Sequence, residues 1–252
     1  PEIGWYGHWG MAASAEEKDY VHLTMKNVTA IDPDAAFCIC QVADWERNFR
    51  HGEEVLEQYA YARAFEADII LLRMVENCPK KEYEYMVFLQ QLDKLVRYLD
   101  STEKAKVIVT TGFWKHPADE ALRAWAKTNN APLCELGHLG EQDEMKAIGQ
   151  FEHRGVANHP SDSGMQAIAD AIWAELKPML EKLAVAGILS DLKKWSKDES
   201  IMVSFRLDVP QSAHVLYQKG GNLLELLTCL AVQNSGCFAA GADAGDAAAG
   251  MF

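Results

Sequence analysis

The sequence predicts an α/β protein with a parallel central sheet and a β-rich C-terminal appendage, and three observations carry that expectation. Between residues 35 and 136 short apolar runs alternate with long helical patterns, the order produced by strands joined through crossover helices. The runs are apolar on consecutive residues, as strands covered on both faces are. Beyond residue 190 the pattern becomes a strict alternation, which is the mark of a half-buried antiparallel strand.

In chain order, Ser14 and Glu17 make a capping-box pattern ahead of Val21, Met25 and Val28 and predict a first helix. The run Ala36-Phe37-Cys38-Ile39-Cys40 predicts a strand, as do Ile69-Ile70-Leu71-Leu72, Val107-Ile108-Val109 and Pro132-Leu133-Cys134. Tyr85, Phe88, Leu89, Leu92, Leu95, Val96 and Leu99 recur at three-to-four spacing, so residues 80–100 form a helix packed on that sheet; 46–66 and 117–129 read the same way. Asp162 is placed to cap a helix carrying Met165, Ile168, Ile172, Leu176 and Leu180. Ile201, Val203, Phe205, Leu207 and Val209 then share one face, and a Lys219-Gly220-Gly221-Asn222 turn follows Val215-Leu216-Tyr217. Residues 239–250 are nearly all Ala, Gly and Asp and cannot supply a core. The expected organisation is an α/β domain over 1–188, a β-rich segment over 189–238 and a flexible tail over 239–252.

The chain has 252 residues with 37 acidic and 24 basic side chains, a formal charge of -13, which disfavours nucleic acid and anionic membrane surfaces as partners. No apolar run approaches the ~20 residues that span a bilayer. The cysteines, Cys38, Cys40, Cys78, Cys134, Cys229 and Cys237, lack paired CxxC spacing and read as mostly buried free thiols of a reducing compartment, hence a cytoplasmic location. Pro1 is preceded by no Met, so removal of an upstream signal segment is the alternative. His8, His116, His138, His153 and His159 are not at metal-ligand spacings, and neither GxGxxG after a strand nor GxxxxGK[ST] occurs, so no metal or organic cofactor is expected.

Chemistry is expected in three segments. Asn158-His159-Pro160-Ser161-Asp162-Ser163-Gly164-Met165 holds a histidine just before a helix, where it can reach the carboxyl edge of the sheet as a general base. Gly4-Trp5-Tyr6-Gly7-His8-Trp9-Gly10 precedes another helix, and Leu72-Arg73-Met74-Val75-Glu76-Asn77-Cys78-Pro79 ends a strand. A Gly10 amide and an Asn77 side-chain amide are neutral donors suited to an oxyanion. The plain alternatives are a surface histidine, a glycine needed for backbone geometry and an asparagine cap. Trp5, Tyr6 and Trp9 suit either a sugar or acyl pocket or core packing.

These segments, in this order, resemble the SGNH hydrolase superfamily of GDSL-type esterases and lipases over residues 1–185, most specifically in GWYGHWGMAASAEEKDYVHL and HPSDSGMQAIADAI. The resemblance implies a flavodoxin-like three-layer α/β/α sandwich. It also implies a serine nucleophile, Gly10 and Asn77 as oxyanion donors and His159 as base. Three departures stand out: Val75-Glu76-Asn77-Cys78 replaces Gly-x-Asn-Asp, Val156 occupies the place of the triad aspartate, and the family's first strand with its serine turn belongs before Pro1. The expected site is therefore a Ser-His dyad, its histidine oriented by a backbone carbonyl; the alternative is that Glu152 on the preceding turn takes the place of the triad aspartate. Leu226 to Gly236, an apolar run ending in Asn234-Ser235-Gly236, is a candidate replacement for the first strand, with Ser235 as nucleophile; a plain strand or helix followed by a turn fits it equally.

The function that the resemblance implies is hydrolysis of carboxylic esters, with a small ester or an acylated carbohydrate as substrate and carbohydrate deacetylation as the guess nearest to the tryptophans. The rival is a catalytically silent carbohydrate-binding or scaffold protein that keeps the fold and lacks the nucleophile.

Overall fold

A computed structural model describes residues 4–81, 83–195, 201–205 and 213–217, with side chains up to residue 183. The chain divides into two compact units, Pro1–Glu181 and Lys182–Phe252. Eight α-helices are described: α1 (Tyr20–Ile31), α2 (Ala43–Arg47), α3 (Gly52–Val55), α4 (Ala60–Ala64), α5 (Tyr85–Leu99), α6 (Asp119–Thr128), α7 (Arg154–Ala157) and α8 (Asp162–Trp195). The strands are β1 (Ile69–Arg73), β2 (Lys106–Thr110), β3 (Leu133–Cys134), β4 (Ile201–Phe205) and β5 (Ala213–Tyr217).

In the first unit β1, β2 and β3 lie side by side in chain order, all parallel, with Ile69 opposite Lys106 and Val109 opposite Leu133. Because α5 joins β1 to β2 and α6 joins β2 to β3 in the same direction along the sheet, a single crossover hand places both helices on one face. There Phe88, Leu92, Leu95, Leu122 and Trp125 pack with Leu72 and Val109. The other face is covered by α1 and α8, whose Val28, Ile168 and Ile172 meet Ile108 and Cys134. Burial of each of the large side chains contributes roughly 1.5–3 kcal/mol, which makes α5, with five buried apolar residues, a principal anchor. In the second unit β4 pairs antiparallel with β5, Ile201 opposite Tyr217 and Val203 opposite Val215.

Several elements differ from their sequence expectation. Ala36 to Cys40 lies outside any strand, with Phe37 and Ile39 exposed, so its apolar character does not reflect a place in the sheet. Consequently β1 is an edge strand among the described residues, and Ile69, Ile70 and Leu71 are only half-buried. Residues 46–66 form no single helix. They break into α2, α3 and α4 separated by 3-10 turns at Phe49–His51 and Leu56–Tyr59, which lets Trp45, Phe49 and Tyr59 all reach the same core.

The caps also differ from the sequence expectation. Asp19, not Ser14, caps α1 by accepting the His22 N–H, and the Ser14 N–H and Oγ instead donate to Asp162 at 2.8 and 2.7 Å. With its carboxylate turned to Ser14 and Lys18, Asp162 cannot cap its own helix; Ser161 does so, its Oγ accepting from the Gly164 N–H. Burial opposes ionisation of Asp162, but the hydrogen bonds from Ser14 and Lys18 outweigh it and hold the carboxyl below its usual range.

The first turn of α8 sits against the loop before α7. A Cβ on Gly164 would lie 2.1 Å from the Met145 carbonyl oxygen, an approach closed to any side chain. Gly164→Ala is therefore expected to destabilise the protein by about 1–3 kcal/mol, read as a lower urea midpoint at unchanged slope. An unchanged midpoint would show that this close approach is not needed.

Candidate active site

The carboxyl ends of the parallel strands gather the segments singled out above, in the part of an open α/β sheet where ligands bind. β1 runs into the turn at 75–78, β2 into the loop holding Phe113 and Trp114, and the loop before α8 supplies His159. Phe113 and Trp114 are in edge contact at 5.2 Å, and Trp114 meets the His159 ring edge-on at 5.1 Å. The Phe113 N–H donates to Glu76 Oε1 at 3.0 Å, which ties this loop to the neighbour of Asn77.

His159 is half-buried. Its Nδ1 lies 2.7 Å from the Gly155 carbonyl oxygen, and since a carbonyl only accepts, the proton is on Nδ1. In the neutral ring the lone pair is then on Nε2, which has no hydrogen-bond partner among the described residues. A backbone carbonyl thus occupies the orienting position, and neither Val156, which is buried, nor the exposed Glu152 does. The other histidine of this edge, His116, differs: its Nδ1 accepts from the Ala118 N–H, so Nε2 donates to the Cys78 carbonyl at 3.1 Å. Both ring nitrogens are spent, and burial lowers its pKa. It is a structural histidine.

Asn77 is exposed and follows Val75, a buried β-branched residue with φ of 91°. Such backbone costs roughly 1–3 kcal/mol, and it stands where the resemblance places glycine. The Asn77 side chain donates from Nδ2 to Glu46 Oε2 at 2.6 Å and accepts from Arg47 Nη2 at 3.3 Å. Burial pushes the Glu46 carboxyl above its usual range, against the hydrogen bonds from Asn77 and Val75.

Gly10 has its N–H turned onto Asp19 Oδ2 at 2.8 Å, so this donor is committed to a carboxylate. The approach explains the glycine, because a Cβ would lie 2.8 Å from Asp19 Cβ and 2.9 Å from Met165 Cε. The next residue, Tyr20, lies beneath the Arg73 guanidinium at 4.6 Å, and Arg73 pairs through two hydrogen bonds with Glu76. Burial alone would lower Arg73, but Glu76 and Tyr20 hold it above its usual range. Gly10 and Asn77 are thereby linked through Asp19, Tyr20, Arg73 and Glu76.

Of the aromatic residues, Trp5 packs edge-on against Trp9 and Phe151, and Trp9 Nε1 donates to the Ala13 carbonyl, so both serve packing; Tyr6 is 76% exposed. Ser235 and the run from Leu226 lie outside the described residues, as do Cys229 and Cys237. Cys38, Cys40, Cys78 and Cys134 are free thiols, of which Cys78 and Cys134 are buried. Among the described residues no group of three His, Cys, Asp or Glu side chains is arranged to hold a metal ion, and no helix is long and apolar enough to cross a membrane.

Sequence reasoning missed Glu46, Asp19, Arg73, Glu76 and Trp114. The one signal available was charge in apolar surroundings: Arg73 directly after Ile69-Ile70-Leu71-Leu72, and Glu46 beside Trp45. No family model, no curated protein and no solved structure matches the chain.

Proposed function

We propose that the chain is a serine-type carboxylic ester hydrolase of the SGNH kind, its parallel sheet being the core of a flavodoxin-like three-layer sandwich. The observation that supports this most is the His159 tautomer: a histidine at the carboxyl edge of the sheet, held through Nδ1–H by a backbone carbonyl, with Nε2 ready to accept a proton. In the proposed reaction Nε2 takes the hydroxyl proton of a serine as its Oγ attacks the ester carbonyl carbon. The resulting oxyanion accepts the Asn77 Nδ2 hydrogen that Glu46 does not use. Collapse of this intermediate expels the alcohol, which leaves with the proton from His159. Water, deprotonated by the same nitrogen, then releases the acid and restores the serine. Gly10 joins as a second donor only by exchanging Asp19 for the oxyanion. A small ester or an acylated carbohydrate is the substrate class, with Tyr6, four residues before Gly10 in the chain, as an exposed aromatic side chain.

A second reading, a silent carbohydrate-binding or scaffold protein on the same fold, draws on the same geometry: the Gly10 N–H is spent on Asp19, and Asn77 is engaged by Glu46 and Arg47. Hydrolysis of p-nitrophenyl acetate together with fluorophosphonate labelling and peptide mapping separates the two. Turnover with one labelled serine is the expected result. A label on Ser235 identifies it as the nucleophile, a label elsewhere reassigns that role, and folded protein with neither turnover nor label rejects the hydrolase.

A further inference from the structure

Glu46 is a buried ionisable group that the proposed chemistry leaves unused. It lies on α2 with 2% of its surface exposed and accepts three hydrogen bonds, all from one turn. The donors are the Val75 N–H, the Asn77 N–H at 3.3 Å and the Asn77 Nδ2 at 2.6 Å. A carboxylate is not what packing requires here, since an apolar side chain of the same size fills the space without desolvating a charge. It matches what the turn offers: three donors converging on two oxygens.

One oxygen takes the N–H of Val75, the residue whose left-handed backbone needs support from its surroundings. The other takes one Asn77 amide hydrogen, while Arg47, the next residue of α2, donates to the Asn77 carbonyl oxygen. Held at both ends, the amide group has a fixed plane. Its second Nδ2 hydrogen has no acceptor among the described residues and sits on an exposed side chain.

We propose that Glu46 is a positioning residue: it locks the 75–78 turn and, with Arg47, aims the remaining Asn77 N–H at a ligand oxygen, which on the ester-hydrolase reading is the oxyanion. The arrangement makes a side-chain amide as rigid as a backbone donor, and a donor must be preorganised to stabilise developing charge without reorganising.

Nuclear magnetic resonance on the full chain tests the clamp independently of activity. In the wild-type protein the Asn77 side-chain proton that faces Glu46 is expected to exchange with solvent roughly tenfold or more slower than a solvated amide. Glu46→Gln offers one acceptor oxygen and sets its own NH2 against a donor. In that variant the protection is expected to disappear, while kcat for p-nitrophenyl acetate falls by about 10- to 100-fold at unchanged KM. Unchanged protection in folded Glu46→Gln protein overturns the proposal. So does fast exchange of both Asn77 side-chain protons in the wild-type chain, and this measurement decides the matter if the variant does not fold. A protected proton in a wild-type chain that hydrolyses no ester supports the clamp and rejects the hydrolase reading alone.

Discussion

His159→Ala is expected to lower kcat/KM for p-nitrophenyl acetate by about 10³-fold while the protein stays folded. The imidazole contributes little to stability. It is half-buried, its hydrogen bond goes to the carbonyl of Gly155, an exposed residue that water can satisfy, and its ring meets the edge of Trp114. Its contribution to an ester hydrolase is large, because without Nε2 neither the serine nor the water has a base. Unchanged turnover in a variant with a wild-type melting curve would remove His159 from the mechanism. Glu152→Gln is a useful companion: with Nδ1 held by Gly155, it should leave the rate within about twofold, the range of a surface change away from the chemistry.

Asn77→Ala is expected to reduce kcat by about 10²–10³-fold with little change in KM, the signature of a donor used chiefly in the transition state. The geometry adds a second, separable consequence. Glu46 loses one of three donors, and a buried carboxylate left short of partners costs roughly 1–3 kcal/mol, so the urea midpoint should fall as well. Kinetics and stability together then define the role. A KM effect at constant kcat makes Asn77 a substrate-binding residue, and a stability loss with normal kcat makes it a support for Glu46 alone.

The parts of the fold legible in the sequence are those written in local periodicity. β1, β2, α5, α6 and the start of α8 fall where apolar runs and three-to-four spacing put them, because the period of burial is a property of the element itself. The same logic fails at Ala36 to Cys40, whose composition fits a strand; a strand also needs a neighbour, and no described residue pairs with it. It fails at the caps for a related reason. Ser14 has the right spacing to Glu17, but Asp162, 148 residues away, takes its hydroxyl, and no local pattern encodes such a competition.

The candidate site divides along the same line. His159, Asn77 and Gly10 stand in recognisable local wording, so their residue types and order along the chain were determined by the sequence alone. Only the tertiary structure decided what each can do. The Gly155 carbonyl sets the His159 tautomer, Asp19 takes the Gly10 N–H, and Glu46 with Arg47 fixes the Asn77 amide. The physical reason is that periodicity records which side of an element is buried, whereas a hydrogen bond is settled by whichever donors and acceptors the folded chain brings within about 3 Å of one another. Residues 46 and 77 meet only after α2 and the end of β1 have packed on a common core.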